Sequence, residues 1–111
     1  MQTSYFAKSS RHPNAVSIAG RCPREFSGRE YKTLAPRYWF FAKYKRDHDE
    51  KFYTEQYQKL ILNFLDPKKV FEELGADAVL LCWEKPGVFC HRRLVAEWLE
   101  KSLGIEIPEF T

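Results

Sequence analysis

The longest unbroken apolar stretch of the chain is Ala78-Val79-Leu80-Leu81-Cys82-Trp83. Such continuity predicts a central parallel strand covered on both faces. Lys85-Pro86-Gly87 breaks it. Beyond the break, Leu94, Val95, Trp98, Leu99 and Leu103 recur at three- and four-residue spacing, which predicts a helix from about Cys90 to Leu103. Gly104 supplies its end. Upstream, Phe52, Tyr53, Tyr57, Leu60, Ile61, Phe64 and Leu65 lie on one helical face, starting from Asp49. Asp66-Pro67 then reads as the cap and first residue of another helix, with Val70, Phe71 and Leu74 buried and Gly75 as its stop.

The N-terminal part is less periodic. Tyr5-Phe6-Ala7 predicts a short first strand ending in Lys8-Ser9-Ser10, and His12-Pro13-Asn14 a turn. Ala15-Val16-Ser17-Ile18-Ala19 predicts a buried strand closed by Gly20. Residues 24–37 read as a long surface loop, and Tyr38 to Tyr44 as a short helix packed on the core. Ile105-Glu106-Ile107-Pro108 predicts an edge strand. Strands alternating with helices give a single α/β domain over residues 1–111. The expected architecture is small and three-layered, with a mostly parallel sheet flanked by helices.

Composition agrees with one domain. At 44% apolar and 16% aromatic residues, the chain has enough material for a core. No apolar run approaches a membrane span, and Met1-Gln2-Thr3-Ser4 lacks the pattern of a secretory signal, so a cytoplasmic protein is expected. Three cysteines, at 22, 82 and 90, are not the paired set of a disulfide scaffold. The net charge of +3 conceals an asymmetry: residues 1–46 carry ten basic and two acidic side chains, the remainder eight and thirteen. A basic N-terminal half suits a nucleotide or nucleic acid, or else is a solvated face.

In open α/β sheets, ligands bind beyond the carboxyl ends of the strands. Three such ends are Lys8-Ser9-Ser10, Arg21-Cys22 and Cys82-Trp83-Glu84. Alternation puts Leu80, Cys82 and Glu84 on one face, Leu81 and Trp83 on the other. The loop 85–89 then delivers Cys90, His91 and Arg92 to the first turn of a helix, where unpaired amides favour a thiolate or a bound anion. The expected catalytic residues are Cys90 and His91, with Glu84 as general acid or base or as the ionic partner of Arg92. The expected ligand contacts are Arg92, Arg21, Cys82 and Cys22. The plainer alternatives are an inert core thiol at Cys82 and core packing for Trp83 and Trp98.

The stretch from Leu80 to Leu99, with Cys82, Glu84, Cys90, His91 and Arg92 at its spaced polar positions, resembles a signature of domain-of-unknown-function family 488. Its members resemble one another in a Leu-Cys-x-Glu strand, a short loop, and Cys-His-Arg opening a helix. The resemblance implies a compact α/β fold and marks those five residues, but it implies no activity. Where the family has an Asp-Val-Arg-like triplet, this chain has Ala19-Gly20-Arg21.

Three readings follow. The first is an enzyme or binding protein for a phosphate-bearing ligand, with Cys90, His91 and Glu84 acting on it; no cofactor is named and this reading assigns no metal ligands. The second is a metal site of Cys82, Cys90 and His91, completed by Cys22 or Glu84. Against it, the spacing is not that of a standard zinc finger, and adjacent side chains diverge on a helix. The third is a non-catalytic nucleic-acid module using Arg37, Tyr38, Trp39, Lys43, Tyr44, Lys45 and Arg46. Thiol redox chemistry ranks below these, for want of a Cys-x-x-Cys motif.

Overall fold

A computed structural model describes residues 1–110. The central strand forms where the apolar run predicts it: β4 (Val79–Cys82) is buried at every position. It pairs in parallel with β1 (Gln2–Tyr5) on one side and β2 (Ala15–Ser17) on the other, and β2 pairs with the two-residue β3 (Arg29–Glu30). The sheet order is β1-β4-β2-β3, all parallel.

Between β3 and β4 run three helices, α2 (Tyr38–Asp47), α3 (Glu50–Leu60) and α4 (Pro67–Leu74). Local chemistry sets their ends. Asp49 accepts from the Phe52 amide to open α3, and Asp66 accepts from the Lys68 amide to open α4, with Pro67 just inside. After β4, α5 (His91–Leu103) returns over the sheet and stops at Gly104, whose φ of 68° is left-handed.

Alternation along the strands sorts the core into two layers. Val16 and Leu80 pack with Phe40, Tyr53, Tyr57, Val70, Leu74, Val95 and Leu99 from the four helices. Ala15, Val79 and Leu81 face the other way, onto Phe6, Ala19 and the partly buried Phe26. That second layer is thin: its helix, α1 (Phe6–Ser9), is a single turn, and a loop completes it.

Several elements differ locally from those expected. The first strand is Gln2–Tyr5 rather than Tyr5–Ala7, and Phe6 already belongs to α1. Residues 24–37 are not all loop: they contain β3 and a 3-10 turn, Lys32–Leu34, whose Leu34 is wholly buried. The α3 stripe ends early, because the helix stops at Leu60 and a 3-10 turn follows; Leu62 goes inside and Phe64 is 77% exposed. Trp83 is half-exposed rather than core, its indole N–H donating to the Arg21 carbonyl at 2.8 Å. The stretch 105–108 is not a full strand, although Thr3 and Glu109 form an isolated parallel bridge beside β1. No described helix is long and apolar enough to cross a membrane.

Candidate thiol–imidazole site

Parallel register sets Tyr5 opposite Cys82 and Ser17 opposite Leu81, so three strands finish along one edge of the sheet. The chain leaves β4 through Lys85-Pro86-Gly87-Val88, a turn closed by the Val88 amide on the Lys85 carbonyl. Proline in second place and Gly87 at φ 86° in third suit that turn, since proline fixes φ and only glycine adopts the positive value freely. The turn brings Cys90 back over the strand end.

Cys90 is the residue before α5, and its backbone is extended (φ −154°, ψ 145°), not helical. This removes the geometric objection to its working beside His91. On a continuous helix the two side chains diverge; across a cap they converge, with Cys90 Sγ 3.9 Å from His91 Nδ1. The sulfurs of Cys82 and Cys90 are paired as a disulfide, against the expectation that the cysteines are unpaired, so the free dithiol at this site is its reduced state. The ligating atoms of Cys82, Cys90 and His91 all lie within 4.8 Å of one another, the arrangement that can hold a metal ion.

The state of the imidazole follows from its other nitrogen. His91 Nε2 lies 2.7 Å from the Ile18 carbonyl, which can only accept, so Nε2 carries the proton. Burial lowers the pKa to about 4; the Ile18 hydrogen bond opposes this and the Arg92 charge adds to it. The ring is therefore neutral near pH 7, with the Nδ1 lone pair toward the thiols.

Arg92 stands behind the cysteines. It is 1% exposed. Its Nε donates to Glu109 at 2.8 Å, and its Nη1 to Cys82 Sγ at 3.0 Å and the Glu84 carbonyl at 2.6 Å. The ionic partner of Arg92 is thus Glu109, not the Glu84 carboxylate, which instead pairs with Lys45 at 2.9 Å. Glu109 also accepts from the Thr3 hydroxyl at 2.7 Å. Burial pushes its carboxyl up, but the hydrogen bonds from Arg92 and Thr3 and the charges of Arg92 and Arg93 outweigh that and hold it below the usual value.

In front of the thiols lies a cavity of about 750 Å³. Cys82, Cys90 and His91 line its floor, and Arg21, Lys45 and Glu84 are the charged residues on its wall. Tyr38, Phe41, Tyr44, Tyr53, Trp83 and Phe89 give it an aromatic lining. Of the seven residues expected from sequence, five line this space. Arg92 is held behind it, and Cys22 packs at the thin second layer near Phe6 and Phe26. Burial and the neighbouring Glu30 raise the Cys22 thiol, which makes it a poor nucleophile.

Two contributors escape a sequence reading. Glu109 follows the last predicted element and has no motif around it. Lys45 is visible only as part of an aromatic–basic cluster, with nothing to pair it to Glu84.

No curated protein and no solved structure matches the chain. A family model, DUF488-N3a, described as the active DUF488-N3 subclade, matches residues 5–103. That span runs from the last residue of β1 to the end of α5, including the whole Cys82-to-Arg92 segment, and the chain belongs to this DUF488 family.

Proposed function

We propose that the cavity binds a phosphate-bearing ligand with a planar ring, a nucleotide, and that Cys90, His91 and Glu84 at its floor and wall act on it. The observation that carries this reading is the union, in one cavity of about 750 Å³, of aromatic walls, two cations and a thiol–imidazole floor. Cavities of roughly 300–1,000 Å³ accommodate ligands of this size. A flat base stacks on Tyr or Trp faces whatever its sequence, and each such contact is worth about 1–3 kcal/mol. Arg21 and Lys45 neutralise phosphate. Arg92 serves the site indirectly, by directing positive charge at Cys82. A thiol–imidazole floor acts in its reduced state, which suits a reducing compartment such as the cytoplasm.

The test is titration with mono-, di- and triphosphate nucleosides at low salt, followed by tyrosine and tryptophan fluorescence. Saturable binding is expected, weakened at least about tenfold in Lys45→Ala or Arg21→Ala, since a charge-assisted hydrogen bond is worth about 1.5–3 kcal/mol. Absence of binding by any nucleotide at low salt contradicts the reading. Tight binding of single-stranded nucleic acid alone, sensitive to Tyr38→Ala and Trp39→Ala, replaces it with the interaction module; those rings are 83% and 50% exposed at the start of α2.

A further inference from the structure

The geometry points to a divalent metal site formed by Cys82, Cys90 and His91, with its fourth position open to the cavity. The inference deepens the nucleotide reading, because that open position is where a water or a phosphate oxygen of the ligand sits.

Four independent features converge on it. First, the donor set is two sulfurs and one imidazole nitrogen, all buried and all within 4.8 Å of one another. In a tetrahedral site with ordinary zinc bond lengths, the sulfur-to-nitrogen edge is about 3.6 Å. The Cys90 Sγ to His91 Nδ1 separation of 3.9 Å is already near that edge, whereas the paired Cys82 and Cys90 sulfurs must part, on reduction, to about 3.8 Å to share an ion. Second, the Cα atoms of Cys82 and Cys90 stand 7.1 Å apart. Relaxed disulfides keep this distance within about 4.4–6.8 Å, whereas two thiolates meeting on a third atom can stand wider.

Third, the atoms around the donors hold them as metal sites do. The Ile18 carbonyl accepts a hydrogen bond from Nε2–H of His91 and leaves Nδ1 free to ligate. The Arg92 guanidinium donates to Cys82 Sγ and is itself fixed by Glu109. Fourth, charge balances. Arg92 and Glu109 cancel, so two thiolates buried without a counter-charge are costly, while two thiolates with a divalent cation are neutral. Three protein ligands beside an open cavity are the pattern of a reactive zinc site; closed sites have four. A thiol reductant first opens the Cys82–Cys90 pair, with two electrons and two protons giving two thiols and the reductant leaving as its own disulfide; the ion then displaces one proton from each thiol into solvent, with no further change of oxidation state.

Cobalt(II) is the probe, because thiolate ligation gives it a charge-transfer absorption and tetrahedral geometry gives it intense visible bands. Chelator-treated, reduced wild-type protein is titrated with cobalt and then with zinc. One equivalent of cobalt with both spectral features is expected, displaced by zinc and weakened at least about 100-fold in Cys90→Ser and in His91→Gln. Cys22→Ser is expected to bind as wild type, since that thiol lies outside the cluster. No stoichiometric uptake, a spectrum without charge transfer, or uptake that survives Cys90→Ser overturns the site. The wild-type titration stands even where a variant fails to fold.

The two proposals fail separately. Nucleotide binding to metal-free protein with no cobalt uptake removes the metal alone. Cobalt uptake with no nucleotide binding removes the nucleotide alone.

Discussion

Glu109→Ala is expected to lower the unfolding free energy by about 3–5 kcal/mol. The reason lies in its partner. Arg92 is 1% exposed, and the Glu109 carboxylate is its only anionic contact, at 2.8 Å from Nε, among the described residues. Removing the carboxylate leaves the buried guanidinium without a counter-charge, and breaking a buried pair from one side costs about 3–5 kcal/mol. For a domain whose total stability is about 5–15 kcal/mol, that is a large fraction. Glu109→Gln keeps a neutral acceptor for Nε and for the Thr3 hydroxyl, so its loss is expected to be smaller. Urea unfolding of the three proteins measures the order. A loss below about 1 kcal/mol in the alanine variant means that Arg92 finds water, and that it does not anchor Cys82.

The second large effect is acid lability centred on His91. Its pKa in the fold is about 4 against an ordinary 6.5, because burial disfavours the charged ring. The folded state therefore binds a proton less readily than the unfolded state. Stability due to this group is complete above pH 6.5 and is lost as the pH falls to about 4. The gap corresponds to about 3 kcal/mol. Unfolding of metal-free, reduced protein between pH 7 and 4 is expected to show that fall, and His91→Gln to flatten it between pH 6.5 and 4.5. Glu109, held below the usual carboxylate value, adds a further loss at pH below 4.5. Equal slopes for wild type and His91→Gln in the upper window contradict a buried, neutral imidazole.

The elements that a sequence reading found are those whose burial is written in apolar residues. β4, α4 and α5 appear where Val79, Leu80 and Leu81, or Val70 and Leu74, or Val95 and Leu99, predict them. What it misplaced has polar or exposed chemistry instead. β1 contains Thr3 and Ser4, both wholly buried, which no hydrophobic pattern reveals. They are accommodated by hydrogen bonds that only the tertiary fold supplies: Thr3 to Glu109, and Ser4 to Ser9 across the turn into α1 at 2.6 Å. Trp83 is turned outward because its indole has a carbonyl partner at Arg21 and an edge contact with Phe6 at 5.1 Å.

The candidate site was legible as a place more than as a geometry. Strand alternation and the position of the loop put Cys82, Glu84, Cys90 and His91 together. The convergence of Cys90 with His91 depends on one extended backbone residue at the cap, and spacing alone cannot show it. The pairing of Arg92 with Glu109 depends on the C-terminal segment lying beside β1, a contact 17 residues away in sequence.

The proposed site requires the Cys90 thiol, once reduced, to face a cavity that a ligand fills. Alkylation of chelator-treated, reduced protein by iodoacetamide, with each cysteine followed by peptide mass spectrometry, tests this directly. Saturating nucleotide is expected to slow labelling of Cys90 at least about tenfold, by occluding the cavity it lines, while Cys22, outside that cavity, keeps its rate. A Cys90 that labels at the same rate with and without nucleotide, or only as fast as the whole protein unfolds, would show that the thiol is sealed off from any ligand.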